Sequence, residues 1–229
     1  MKPRTLKLYN TLSGKKEPLK TQIEGEVTLY GCGPTVSGYT HVGNARAALT
    51  FDLVVRALQY FGYKVSFARN YTDVDDKIIA VAEKEGRSAT EVSEYFIEAY
   101  RTDLKNLKTR EPEFCPKVTE TIPEIISFVQ DLISKGSAYT LKTENGTDVY
   151  FRVLSFRDYG KLSHRKLDDL VSGSRADVEK AKEHEADFAL WKAAKPNEPS
   201  WDSPWGPGRP GWHIECSAMI YKLFKGTID

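Results

Sequence analysis

The chain has 229 residues, with 33 lysines and arginines against 32 aspartates and glutamates, a net charge of +1 at pH 7. That balance excludes a strongly basic nucleic-acid-binding protein and leaves any RNA contact to a local patch. At 40% hydrophobic and 28% charged residues the composition is that of a globular chain able to bury a full core.

Three cysteines, odd in number and far apart, do not make a secreted disulfide framework. The opening "MKPRTLKLYN" lacks the apolar segment of a secretory signal, and no stretch approaches the roughly 20 apolar residues of a membrane span. A cytoplasmic protein without membrane partners is expected.

The first regular element, "EVTLYG" at residues 26–31, is a short apolar run ending in glycine, as a buried strand feeding a loop would be. After the loop, Ala45, Leu49, Leu53, Ala57 and Phe61 recur in steps of four up to Gly62 and are expected to form the buried stripe of a helix. "YKVSFA" at 63–68 reads as a second strand. Strand, glycine-rich loop, helix and strand make a parallel βαβ unit of a doubly wound α/β sheet, whose ligands bind at the C-terminal strand ends.

Two helices are expected next, one over 75–85 and one opened by "SATE", where Ser88 and Glu91 have capping-box spacing. Residues 121–135 read as a helix stopped by Gly136, and "SAYTLKTENGTDVYFRV" as a hairpin turning at Asn145-Gly146. The charged stretch 161–182 breaks into short pieces, and "KPNEPSWDSPWGPGRPG" at 195–211 is too rich in proline and glycine for regular structure. Trp212 to Phe224 turns helical again. The middle of the chain is an insertion of mixed strands and helices, after which the chain returns to the first sheet.

The loop "LYGCGPTVSGYTHVGNAR" at 29–46 concentrates unusual residues. A glycine-rich loop leading into a helix N-terminus is an anion site, and there His41 and Asn44 could donate to charge developing on a phosphate. Equally, Asn44 could be only an N-cap and His41 an ordinary loop residue. Cys32 and Cys216 could each be a small buried hydrophobe or a thiolate ligand of a soft metal such as zinc; His213, three residues before Cys216, could share its helix face. Cys115 is structural, and His164 and His184 belong to solvated faces. In "RNYTDVDDKI" Asp75 and Asp76 favour the start of the next helix, whereas Thr72 and Asp73 are better placed to line a pocket.

Together "GCGPTVSGYTHVGNAR", "RNYTDVDDKI" and "SPWGPGRPGWHIECSAM" resemble, in order, the signatures of the bacterial cysteinyl-tRNA synthetases, which are class I aminoacyl-tRNA synthetases. The resemblance implies a Rossmann-like (HUP-type) parallel sheet: its first part at 1–111, a mixed α+β connective-peptide insertion at 112–200, and a return to the catalytic domain at 201–229. It implies that His41 and Asn44, standing in the His-Ile-Gly-His signature, act on the phosphates, with Pro34, Thr35 and Gly43 completing an ATP site. Gly33, Thr72 and Trp212 are then the residues against the substrate cysteine, and Cys32 and Cys216 two ligands of a zinc ion that takes its thiolate. ATP with magnesium, L-cysteine and tRNA(Cys) are the implied substrates of a monomer.

Asn44 departs from the signature's second histidine, keeping a neutral donor. After "GTID" the family continues with a His-Gly-Gly-Gly stretch, two more zinc ligands, the Lys-Met-Ser-Lys-Ser loop and the helical and anticodon-binding domains. The chain is accordingly expected to be the N-terminal part of the enzyme and inactive alone. Two other functions fit the same residues. One is a relative that gives the activated cysteine to a small amine, which a tRNA-dependent assay would separate; the other is a non-catalytic paralogue that only binds RNA or a partner and would have no need of Cys32, His41, Trp212 and Cys216.

Overall fold

The computed structural model describes residues 6–167 and 182–229. The chain divides into two compact units: Met1–Lys7 with Pro18–Thr121 and Met219–Asp229, and Leu8–Glu17 with Ile122–Ala218.

The first unit is built on two parallel strands, β3 (Glu26–Gly31) and β4 (Lys64–Arg69), in register from Glu26 opposite Lys64 to Gly31 opposite Arg69. A parallel pair needs a long crossover, here helix α1 (Val42–Tyr60). On the other edge of β4 the chain returns at 114–117, also parallel, with the Phe114 N–H donating to the Phe67 carbonyl at 3.2 Å and the Tyr71 N–H to the Pro116 carbonyl at 2.9 Å. The expected α/β architecture with a parallel sheet is present.

The buried stripe of α1 is not the expected one. Leu49 and Leu53 are exposed, Leu53 at 67%, and the helix buries Ala48, Val55 and Leu58. Each residue turns the helix by about 100°, so a run of four-residue steps drifts about 40° per step and leaves any one face. Spacings of three and four must mix, and 48, 55 and 58 do so. Leu58 packs with Val27 and Tyr63, and the chain turns out of the helix at Gly62, just past its C-cap Phe61, where a φ of +95° suits glycine.

Helices α2 (Asp76–Glu85) and α3 (Ala89–Asn106) follow. Asp75 caps α2 by accepting the Lys77 N–H at 3.0 Å. The expected capping box of α3 is complete: the Ser88 Oγ accepts the Glu91 N–H at 3.2 Å and the Glu91 carboxylate accepts the Ser88 N–H at 2.8 Å. The helices join one core, with Ile78 and Ala82 of α2 against Val92, Phe96, Ile97 and Tyr100 of α3 and Val36 of the loop.

In the second unit, helix α4 (Ile122–Ser134) stops before Gly136 at φ +73° and leads into a four-stranded antiparallel sheet. Its order is β5 (Ala138–Thr143), β6 (Gly146–Phe151), β7 (Phe188–Ala193), β8 (Gly208–Pro210). The expected hairpin is there, but Thr143 pairs with Gly146, so Glu144 and Asn145 make the turn and Gly146, at φ +142°, opens β6. The stretch 195–211 is not wholly irregular either: Gly208–Pro210 adds β8 at the sheet edge, where a proline without an N–H is tolerated. The expectation for 161–182 falls partly outside the described residues. A short hairpin near the N-terminus, β1 (Lys7–Asn10) with β2 (Lys15–Pro18), has no counterpart among the expected elements. Helix α5 (Trp212–Phe224) runs over the expected residues. Among the described residues no helix is long and apolar enough to cross a membrane.

Candidate active site

The loop after β3 is pinned to the end of β4 by its own backbone. The Gly33 N–H donates to the Asn70 Oδ1 at 2.9 Å, the Thr72 N–H to the Pro34 carbonyl at 3.1 Å, and the Val36 N–H to the Thr72 carbonyl at 3.1 Å. Glycine is required at 33 because a Cβ there would lie 1.6 Å from the Asn70 carbonyl oxygen. Asn70 and Thr72 are themselves buried, so the pinning point is rigid. Cys32 stands exposed on this loop, its Sγ 3.7 Å from the Gly33 carbonyl oxygen.

Nine residues on, the N-cap of α1 is His41 and not Asn44, which sits on the first turn. The His41 Nδ1 accepts the Gly43 N–H at 3.0 Å. A neutral ring bonded in this way carries its proton on Nε2, which remains available as a donor. Gly43 allows the ring this position, since a Cβ there would meet His41 Cε1 at 2.7 Å. Residues 34–41 and Asn44 line a cavity of about 290 Å³, closed on its other side by Lys77 of α2 and by Phe96 and Tyr100 of α3. Pro34, Thr35, His41 and Asn44 thus meet at one cavity, with Gly33 and Thr72 at the pinned end of the same loop.

Other acidic and histidine residues have local duties. Asp73 does not line this cavity: it is buried and accepts both the backbone N–H (3.1 Å) and the hydroxyl (2.6 Å) of Thr119, and burial raises its carboxyl pKa. The His164 Nε2 lies 2.5 Å from the Thr11 carbonyl, and the His184 Nδ1 accepts the Ala186 N–H. Cys115 is packed against the α2–α3 core, where burial pushes its thiol pKa up.

In the second unit, Gly211 precedes α5 so closely against β7 that a Cβ would lie 1.9 Å from the Ala189 carbonyl oxygen. That contact fixes the start of the helix, where Trp212 is 55% exposed. The His213 ring is flanked by Phe188 at 4.8 Å and Trp212 at 5.2 Å, and the desolvation lowers its pKa. Cys216 follows one turn later, half-buried. Among the described residues no group of three or more His, Cys, Asp or Glu side chains is gathered to hold a metal. Cys32 and Cys216 each carry a thiol, a donor of the type that zinc takes.

Residues 18–229 match the family model described as the tRNA synthetase class I (C) catalytic domain. The chain belongs to this family. A cysteine–tRNA ligase of Brevibacillus brevis is 54% identical over 224 residues, and one of Shouchella clausii 55%. Each match covers 98% of this chain and 47% of the relative, so the chain spans about half the length of the curated relatives it matches. The fold is also that of a solved class I enzyme, Mycobacterium tuberculosis methionyl-tRNA synthetase in complex with methionyl-adenylate, at a TM-score of 0.62 and 11% identity over 86% of this chain and 46% of that one. Within the class I domain, sequence reasoning passed over Asn70, Lys77 and Tyr100. Lys77 directly follows Asp75 and Asp76 in "TDVDDKI", where a lysine beside three aspartates carries no signal of its own.

Proposed function

We propose that this chain is the cysteine-activating part of a cysteine–tRNA ligase, which joins the L-cysteine carboxylate to the α-phosphorus of ATP, expels pyrophosphate, and then passes cysteine to tRNA(Cys). The observation that carries this reading is one pinned loop bearing an exposed Cys32 at one end and the donors His41 and Asn44 at the other. Substrate side chain and nucleotide are thereby served from a single rigid segment.

In this reading Cys32 and Cys216 hold zinc, with two further ligands supplied from the part of the family that follows these residues. Bound there, zinc supplies a soft Lewis acid that favours a thiolate over a hydroxyl. Shape alone separates such near-isosteres only about 10- to 200-fold. Gly33, Thr72 and Trp212 enclose the amino acid. His41 through Nε2–H, and Asn44 through its amide, donate to phosphate oxygens as charge develops on them, with Pro34, Thr35 and Gly43 beside the nucleotide. Magnesium arrives with ATP. Chain 1–111, 112–200 and 201–229 then divide as catalytic domain, connective peptide and return. The enzyme works as a cytoplasmic monomer, and these 229 residues alone form the adenylate at no useful rate.

The test is binding of a non-hydrolysable cysteinyl-sulfamoyl adenosine to a full-length ligase carrying this domain, in zinc-supplemented buffer, followed by thermal shift and calorimetry. The cysteinyl compound should bind at least about tenfold tighter than its seryl counterpart, and Cys32→Ser should erase that preference while the adenosine moiety still binds. Equal affinity for both compounds, or none for either, overturns the proposal.

A further inference from the structure

A second cavity, of about 490 Å³, opens on another face of α3, between the last turns of that helix, the chain at 108–112 and the buried ring of Tyr71. The adenylation proposed above does not use it. Around it the stretch "RTDLKNLKTR" at 101–110 gathers four cations against one aspartate, in a chain whose net charge is only +1. The two carboxylates in the lining are both taken up by Arg101: the Glu98 Oε1 lies 2.8 Å from its Nη1 and the Glu111 Oε1 3.8 Å from its Nε, while its guanidinium carbon stands 5.8 Å from the centre of the Tyr71 ring. Arg110 donates to the Gln59 side chain. Lys105 and Lys108 are exposed and enter no ion pair or side-chain hydrogen bond among the described residues.

Lys108 is also held in an unfavourable backbone conformation. Helix α3 ends in a Schellman turn, with the Thr109 N–H donating to the Leu104 carbonyl at 3.2 Å and the Lys108 N–H to the Lys105 carbonyl at 3.0 Å. The residue this turn places in the left-handed region is Lys108, at φ +57°, whereas α2 ends on Gly86 at φ +65°. Glycine adopts that region without strain and lysine does not. The fold gains nothing from lysine at 108, so its exposed ammonium points to a partner outside the chain.

We propose that Lys105 and Lys108, at this cavity and away from the one beside His41, dock the phosphate backbone of an RNA. Arg101 and Lys105 share one face of α3 and Lys108 follows a turn later, a row roughly 10 Å long at about 1.5 Å per residue. A row of that length suits successive phosphates better than a single small anion. Lysine heads act as point charges on flexible stems, so they hold a backbone in place without reading its sequence. An electrically balanced chain meets RNA through just such a local patch. That the RNA is a tRNA rests on the function proposed above; the docking row does not.

The experiment is filter binding of a tRNA(Cys) transcript to a full-length ligase carrying this domain, over a series of salt concentrations, with cysteine-dependent pyrophosphate exchange measured in parallel without tRNA. Replacing both lysines, Lys105→Ala with Lys108→Ala, should weaken binding about tenfold or more at low salt and make the plot of log affinity against log salt shallower by about 1 to 2, one phosphate contact being lost with each lysine. Exchange should not change. Lys108→Arg should bind nearly as wild type does. Lys108→Gly should lose its share of the affinity while the unliganded melting temperature holds or rises, an outcome that a merely structural lysine would not give. A wild type that does not bind the transcript, or a double variant with unchanged affinity and salt slope, overturns the proposal. So does polyglutamate that displaces the transcript as well as unlabelled RNA does, since the row would then attract any polyanion. Absent exchange by wild type counts against the function proposed above, and the binding curves still decide the docking row.

Discussion

The backbone N–H of Gly33 donates to the Asn70 side chain at 2.9 Å, and the Cα of Gly33 lies so near the Asn70 main chain that a methyl group there would sit 1.6 Å from its carbonyl oxygen. Loop and strand end therefore hold one position because nothing larger than hydrogen fits between them. The same contact sets where Cys32 stands, one residue earlier.

Gly33→Ala must push the loop off Asn70. The buried amide oxygen then loses its partner at a cost of about 1–3 kcal/mol, and Cys32 moves with the loop. We expect a lowered melting temperature and, because a displacement of about 1 Å costs on the order of 10²-fold in a positioned site, a loss of affinity for cysteinyl-sulfamoyl adenosine well beyond what the stability change explains. Calorimetry beside thermal unfolding separates the two effects. A variant of normal stability and normal affinity would mean that the loop is not set by this contact.

The face of α1 supplies a second expectation. Leu58 is 2% exposed within the cluster of Val27 and Tyr63, whereas Leu53 is 67% exposed. Leu58→Ala should cost about 2–5 kcal/mol through lost burial and the cavity left behind. Leu53→Ala should fall within about 0.5 kcal/mol of wild type. Urea denaturation of both variants reads the difference directly, and the reverse order would restore the four-residue stripe.

How far the sequence reveals this molecule follows the range of the forces involved. The capping box at Ser88 and Glu91, the strand 26–31 and the helix from Trp212 to Phe224 are legible because neighbours in the chain decide them. The orientation of α1 is not, because its buried face is selected by Val27 and Tyr63, which only the folded chain brings near. Pro210 hid β8 for a similar reason: a missing N–H argues against a strand until the edge position is known. At the candidate site, Cys32 and His41 declare themselves by residue type. Lys77 and Tyr100 do not, since a lysine on a helix and a tyrosine in an apolar stripe look ordinary until three elements enclose one cavity.

His41 serves two purposes that substitution can separate. Its Nδ1 caps α1 by accepting the Gly43 N–H, and its Nε2 is the donor assigned to the phosphates. His41→Asn keeps a good cap while removing the imidazole donor; His41→Ala removes both. In a full-length ligase carrying this catalytic domain, both variants should lower the adenylation rate about 10²- to 10³-fold with the cysteine KM nearly unchanged. Only His41→Ala should also lose about 1 kcal/mol of stability. Pyrophosphate exchange and thermal unfolding measure the two losses, and a raised cysteine KM at normal turnover would place His41 on the wrong substrate.

Asp73 sets a pH dependence whose sign follows from its surroundings. Burial raises its carboxyl pKa, and the two hydrogen bonds from Thr119, which favour the anion, do not offset that desolvation. The folded state thus binds the proton more tightly than the unfolded chain, whose aspartates titrate near about 3.9. Wherever the folded state holds more protons, stability falls as pH rises. The loss begins around the unfolded value and is complete once pH passes the raised folded pKa. Asp73→Asn keeps an acceptor for the Thr119 N–H and a donor for its hydroxyl, carries no charge, and lacks this dependence. Measured by urea denaturation at pH 7 and again near pH 4, wild type should gain stability relative to Asp73→Asn on acidification. A gap that moves the other way would identify a carboxylate stabilised by Thr119 more than it is penalised by burial.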